Sequence, residues 1–389
     1  MSTGRLTLVD TKNPAPVSGW CDPALAAVRR AFEANFAERG EVGAACTIIR
    51  GGRTVVELVG GWADEARSRP WQPDTIVNFY SAGKAVIALL ALQLVDQGVI
   101  ALDDPVMSVW PEFAAGGKAG ATIRHALSHQ AGVPAIRQLL TNEDLWVWER
   151  MTSALAATAA WFEPGSRITY HTNTYGHLIG EIVHRCSGQL PGDRLRTVAG
   201  PLGADLHWGV PDSEQHRCAD VIWAPAGQMG PFEFDSLSGD ALMIALGYFN
   251  PPGYSSHELV NTPEWRRAQV PSTNGHGSAT GLARLYAAIV EPERLLSSGL
   301  LAEATRVQAH GLCPVLGEEV AIGLGFVPTS ERRPLGPSPR SFGHFGTGGA
   351  LGFADPDAQI GFGYVMNHVI PRWQSTRNRA LIDALYTSL

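Results

Sequence analysis

The chain has 389 residues, 45% hydrophobic and 17% charged, enough for two structural units around a large buried core and unlike a disordered chain. A net charge of −7 offers no basic surface for nucleic acid. The five cysteines (Cys21, Cys46, Cys186, Cys218 and Cys313) are scattered without any Cys-x-x-Cys, so neither a disulfide framework nor a zinc site is expected.

The opening stretch "MSTGRLTLVDTKNPAP" lacks the apolar core of a signal peptide. No apolar run reaches the roughly 18 residues that a membrane span needs, so the expectation is a cytoplasmic protein without a membrane partner. Residues 22–38 read as an amphipathic helix, with Asp22 as cap, Pro23 in the first turn, and Leu25, Val28, Phe32 and Phe36 at helical spacing. "AACTIIR" and "RTVVELVGGW" are β-rich runs joined by Gly51-Gly52, a strong hairpin signal. From Ser81 to Gln97 the chain is apolar almost all round, as a centrally buried helix must be, and Gly98 ends it. Helix-like pieces broken by Pro and Gly dominate residues 101–270. Three short β-runs come next within 340–367, turning at Asp355-Pro356-Asp357, and a last helix starts at Thr376. The expected organisation is a discontinuous α/β unit of residues 1–100 and 271–389, interrupted by a mainly helical insertion at 101–270.

Lysine is rare here: Lys12, Lys84 and Lys118 are the only three, and Lys84 alone has a serine three residues before it. On a helix, Ser81 and Lys84 share one face. A neutral lysine can take a serine proton if burial lowers its pKa, and the positive end of the helix favours an oxyanion. The plainer reading makes Ser81 a helix cap and Lys84 a surface charge, but an idle lysine at the start of an all-apolar helix is costly. His125 and His129 are spaced for chelation on a helix, yet no acidic or cysteine ligand adjoins them, and structural hydrogen bonding is the better expectation. The tryptophans between 146 and 161 read as packing residues.

Ser81-Ala82-Gly83-Lys84 resembles the Ser-x-x-Lys element of the serine β-lactamases and penicillin-binding proteins. Tyr170, in "PGSRITYHTNTYG", stands where their tyrosine element does, and His344-Phe345-Gly346 stands where Lys-Thr-Gly does. "LDDPV", "WPEF", "IRHALSHQAGVP" and "STNGHGSATGLARLY" further resemble the class C branch and its esterase relatives. The resemblance implies an α/β (α+β) fold, an antiparallel sheet flanked by helices with an all-helical insertion. Two departures choose the branch. Thr172 replaces the asparagine of the tyrosine element, with Asn173 one residue on, which loosens amide recognition. His344 replaces the lysine that helps hold a β-lactam carboxylate, and a mostly neutral imidazole is a poor substitute. Both losses match the family VIII carboxylesterases.

The roles implied by the resemblance are then specific. Ser81 is the nucleophile, Lys84 and Tyr170 share general base and acid work, and the backbone N–H groups of Ser81 and Thr347 form the oxyanion hole. Gly346 lets the strand edge approach the substrate closely, and His344 lines the pocket. No metal or organic cofactor is required, and the expected partner is a small-molecule ester. An acyltransferase of the same fold is the nearest alternative, then an amidase or weak β-lactamase, then a catalytically silent binding protein.

Overall fold

The computed structural model describes residues 15–223, 234–255, 259–370 and 374–389, so most of the stretch read for a leader, and Lys12 with it, lies outside the described residues. Among these, seven strands make one antiparallel sheet: β1 (Val17–Cys21), β2 (Gly43–Arg50), β3 (Arg53–Gly61), β6 (Val327–Pro328), β7 (Phe342–Phe345), β8 (Leu351–Asp355) and β9 (Ile360–Met366), in the order β1-β3-β2-β9-β8-β7-β6. A separate hairpin, β4 (Ala309–Cys313) with β5 (Glu318–Ile322), precedes β6. The expected β2–β3 hairpin forms across Gly51-Gly52, both at positive φ, as a two-residue turn between twisted strands demands. The two ends of the chain meet where β2 pairs with β9.

Six helices matter most to the sheet and the site: α1 (Ala26–Glu38), α2 (Gly83–Asp96), α3 (Thr174–Ser187), α4 (Gly239–Phe249), α5 (Ala279–Val290) and α6 (Thr376–Thr387). Strand alternation along β9 turns Gly361 and Gly363 toward α5 and Tyr364 toward the opposite face. On that opposite face the Tyr364 hydroxyl donates to Glu41, which also pairs with Arg377 of α6 at 2.5 Å. Asp22 caps as expected, accepting from Ala24 N–H at 2.9 Å, although the first turn is 3-10 (Pro23–Leu25) before α1 begins.

The all-round apolar helix is α2, whose residues from Gly83 to Leu92 are all buried. It packs against α3 on one side and the end of β7 on another. A loop at 270–274 is wedged between α2 and α3. Two glycines admit it: a Cβ at Gly83 would stand 2.7 Å from Pro271 O, and one at Gly176 would stand 2.4 Å from Ser272 N. Asn274 holds the loop's shape, accepting from Val270 N–H at 2.8 Å and donating to the carbonyls of Trp265 and Ala268 at 2.8 and 2.7 Å.

Candidate active site

Ser81 sits inside a 3-10 turn (Tyr80–Ala82) that leads into α2 and is not the residue capping that helix. Tyr80 before it takes a positive φ of 49°, a conformation that non-glycine residues rarely adopt. Such a turn sets the direction in which the next side chain projects. Lys84 lies one turn later and is wholly buried, so the surface-charge reading does not hold.

The Lys84 Nζ contacts three oxygens: Ser81 Oγ at 2.9 Å, Thr172 O at 2.7 Å and Ser272 O at 3.0 Å. Burial pushes the lysine well below its usual pKa, favouring the uncharged amine. A neutral –NH2 has two hydrogens and one lone pair. The two carbonyl oxygens can only accept, so they take both hydrogens and leave the lone pair for the Ser81 hydroxyl proton. That is the geometry of a base set against its nucleophile.

Tyr170 arrives from the segment just before α3, with its ring centroid 4.9 Å from Lys84 Nζ. Burial raises its phenol pKa far more than the neighbouring Ser81 side chain lowers it, so the hydroxyl keeps its proton near neutrality. His344 lies on β7, 1% exposed, its ring 6.3 Å from that of Tyr170 and its Nδ1 2.8 Å from Phe345 O. Burial chiefly, and the nearby Lys84, push its pKa down to about 3, so the imidazole is uncharged.

At the end of β7, Gly346 meets the turn that carries Ser81. A Cβ there would stand 2.2 Å from Phe79 O, so only glycine lets the strand end lie against the backbone two residues before Ser81. The Gly346 N–H donates to Ala350 O at 2.7 Å, and half-buried Thr347 opens the tight turn beyond it.

Asn173 does not stand in for the missing asparagine. Its amide donates to Gly247 O and accepts from Thr273 Oγ1, both at 2.7 Å, and it is 2% exposed. The Thr172 hydroxyl lies near that of Tyr248 of α4. His125 closes the N-terminal turn of the helix Ile123–Leu127 with Thr122, and His129 packs against Tyr170. Sequence reasoning weighed Thr172 only as a lost asparagine and His129 only as a chelation candidate, and it did not single out Ser272. Thr172 and Ser272 act through backbone carbonyls, which no residue type announces; only the "STNGHGS" resemblance marked the neighbourhood of Ser272.

Among the described residues no helix is long and apolar enough to cross a membrane. The beta-lactamase family model matches residues 28–386. The esterase/beta-lactamase LipL of Mycobacterium tuberculosis is 31% identical over 367 residues, covering 91% of this chain and 83% of that protein. The crystal structure of a family VIII carboxylesterase superposes with a TM-score of 0.88 at 36% identity, covering 96% of this chain and 100% of that one. A penicillin-binding protein homologue from Caulobacter crescentus superposes with a TM-score of 0.87 at 38% identity, with the same coverage. A family match over nearly the whole chain, on a fold shared this closely with an esterase, makes this chain a member of the beta-lactamase family and a hydrolase of that fold.

Proposed function

We propose that the protein is a carboxylesterase that cleaves small esters through an acyl-enzyme on Ser81. The observation that carries this is the buried Lys84 amine, bonded to two carbonyl oxygens and 2.9 Å from Ser81 Oγ. Lys84 takes the Ser81 proton as Oγ attacks the ester carbonyl. The developing oxyanion is met by the N–H groups of Ser81 and Thr347, since the Gly346 N–H is already bonded to Ala350 O. When the C–O bond to the alcohol breaks, Tyr170 protonates the departing alkoxide and recovers the proton that Lys84 had taken. Water then attacks the acyl-enzyme by the same groups in reverse, releasing the acid and restoring Ser81.

The similarity to a family VIII carboxylesterase and to an esterase/beta-lactamase supports an ester substrate. So do the neutral His344 and the inward-turned Asn173, which leave a carboxylate-bearing amide poorly held. Short acyl chains are expected, because the reacting groups are deeply buried: Ser81 is 7% and Tyr170 2% exposed. The test has two parts. Intact mass should show one fluorophosphonate adduct, lost in Ser81→Ala, and nitrophenyl esters of graded length should show acetate or butyrate preferred. No adduct would favour a silent binding protein, and a preference for chains of about ten carbons or more would reject the short-acyl reading.

A further inference from the structure

His129 makes more contacts around Tyr170 than a packing residue needs. Its ring is stacked on Tyr170 on one side, with centroids 4.7 Å apart and planes inclined by 29°. On another side it stacks on Tyr175, at 4.4 Å and 26°. Tyr175 is itself fixed, its hydroxyl donating to Leu127 O at 3.0 Å.

The backbone around Tyr170 is held by the same residue. The Thr169 N–H donates to His129 O, and the His171 N–H donates to His129 Nδ1, both at 3.0 Å. The remaining N–H of the segment, that of Tyr170, donates to Cys313 Sγ at 3.2 Å, from the β4–β5 hairpin. All three amides from 169 to 171 are therefore bonded, two of them to His129. His129 adopts this pose with a φ of 64°, a left-handed backbone that few side chains accept readily.

We infer that His129 is a positioning residue for the reaction: its imidazole and its carbonyl clamp residues 169–171 so that the Tyr170 hydroxyl is held at Ser81. The clamp requires an uncharged imidazole, because Nδ1 accepts a hydrogen bond and a protonated ring has no acceptor. Burial above all holds His129 well below its ordinary pKa. The stacked Tyr170 and Tyr175 are neutral phenols, kept so by burial. The clamp is thus set throughout the pH range in which an ester hydrolase works.

This inference rests on the proposed role of Tyr170 as proton donor to the leaving group, and that role supplies the test. A nitrophenolate departs without a proton, whereas an ethoxide needs one, so misplacing Tyr170 slows acylation by alkyl esters selectively, while deacylation of the shared butyryl-enzyme is slowed equally for both. His129→Ala removes ring and acceptor together. His129→Asn tolerates the left-handed backbone and offers Oδ1 where Nδ1 stood, but lacks the stacking surface. Kinetic constants for ethyl butyrate and p-nitrophenyl butyrate are compared in both variants and in Tyr170→Phe.

The expected result is a kcat/KM loss, which reports acylation, of about 100-fold on the ethyl ester and under about 10-fold on the nitrophenyl ester for His129→Ala. His129→Asn should fall between His129→Ala and wild type. If His129→Ala does not fold, the Asn variant decides. Equal losses on both esters, with Tyr170→Phe still discriminating between them, overturn the inference and leave His129 a packing residue. If Tyr170→Phe itself does not discriminate, the donor role of Tyr170 fails and the clamp has no catalytic purpose.

Discussion

Replacing Lys84 by arginine separates a lysine that moves a proton from one that only supplies charge. The amine is fully buried, with Thr172 O at 2.7 Å, Ser272 O at 3.0 Å and Ser81 Oγ at 2.9 Å. A guanidinium can still donate to both carbonyls, so the anchors of a purely structural cation survive. Its pKa above about 12 leaves no lone pair for the Ser81 proton. Nearby imidazoles are poor replacements: His171 uses both ring nitrogens, toward Thr169 O and Val133 N–H, and His129 Nδ1 already accepts from His171 N–H. Losing a general base costs about 100- to 10,000-fold, or roughly 3–5 kcal/mol of barrier at about 1.4 kcal/mol per tenfold. The engaged neighbours argue for the upper half of that range. The assay is kcat and kcat/KM for p-nitrophenyl butyrate with Lys84→Ala alongside, and circular dichroism and thermal unfolding confirming the fold. A folded Lys84→Arg protein retaining more than about a tenth of wild-type kcat would refute the Ser–Lys mechanism, since that is well inside the loss a missing base produces.

The acid limb of the kcat/KM profile should belong to Lys84. Its working form is the neutral amine, so activity rises as pH passes upward through its lowered pKa, while His344 at about 3 and His171 at about 4 titrate below the working range. His344→Gln should therefore leave the limb in place, and a displacement of about one unit or more would show that the histidine titrates with activity. Gly346→Ala introduces a Cβ that would lie 2.2 Å from Phe79 O, forcing the strand end away from the nucleophile's turn. A kcat loss of about 10- to 100-fold is expected from the misplaced oxyanion donor, read by steady-state kinetics, and unchanged kcat would mean that this contact does not set the site. Penicillins should be turned over far more slowly than short esters, and His344→Lys should tighten their binding by roughly 1–2 kcal/mol, one charge-assisted hydrogen bond. Inhibition constants against ester hydrolysis measure this, and native penicillin turnover matching that of esters would defeat it.

The sequence carried the parts of the fold that depend on local pattern. Gly51-Gly52 marked a hairpin because positive φ at both turn residues suits glycine, and α2 was legible because nothing polar interrupts its faces between Lys84 and Gln93. Strands β1 and β4 were not seen. "VSGWC" and "AHGLC" each have five residues with a glycine inside, too few to establish alternation. Nor could the pairing of β2 with β9 be read, since register between segments about 300 residues apart is set by packing. That Ser81, Lys84 and Tyr170 come together was legible from residue type and order. Whatever acts through the backbone was not: Thr172 O, Ser272 O and the carbonyl of His129 would have the same chemistry under any side chain.

A physical division runs through this site. The groups proposed to break and make bonds are intact and pre-set: an amine relieved of its charge by burial, a hydroxyl in contact with it, a phenol that keeps its proton. The groups that would recognise the polar flank of a β-lactam are neutral or already engaged. His344 carries no charge. Asn173 has both ends of its amide satisfied by protein, and Arg333, whose charge is felt at His344, is paired with Glu318. An anionic amide entering such a site would surrender its hydration without gaining partners, a cost of several kcal/mol for a buried carboxylate. A small neutral ester loses little water and needs only the oxyanion donors and the proton relay. Retained chemistry with reduced polar recognition therefore favours esters through what the site no longer offers to competing substrates, and the acyl and alcohol groups are left to be chosen by the shape of the pocket walls.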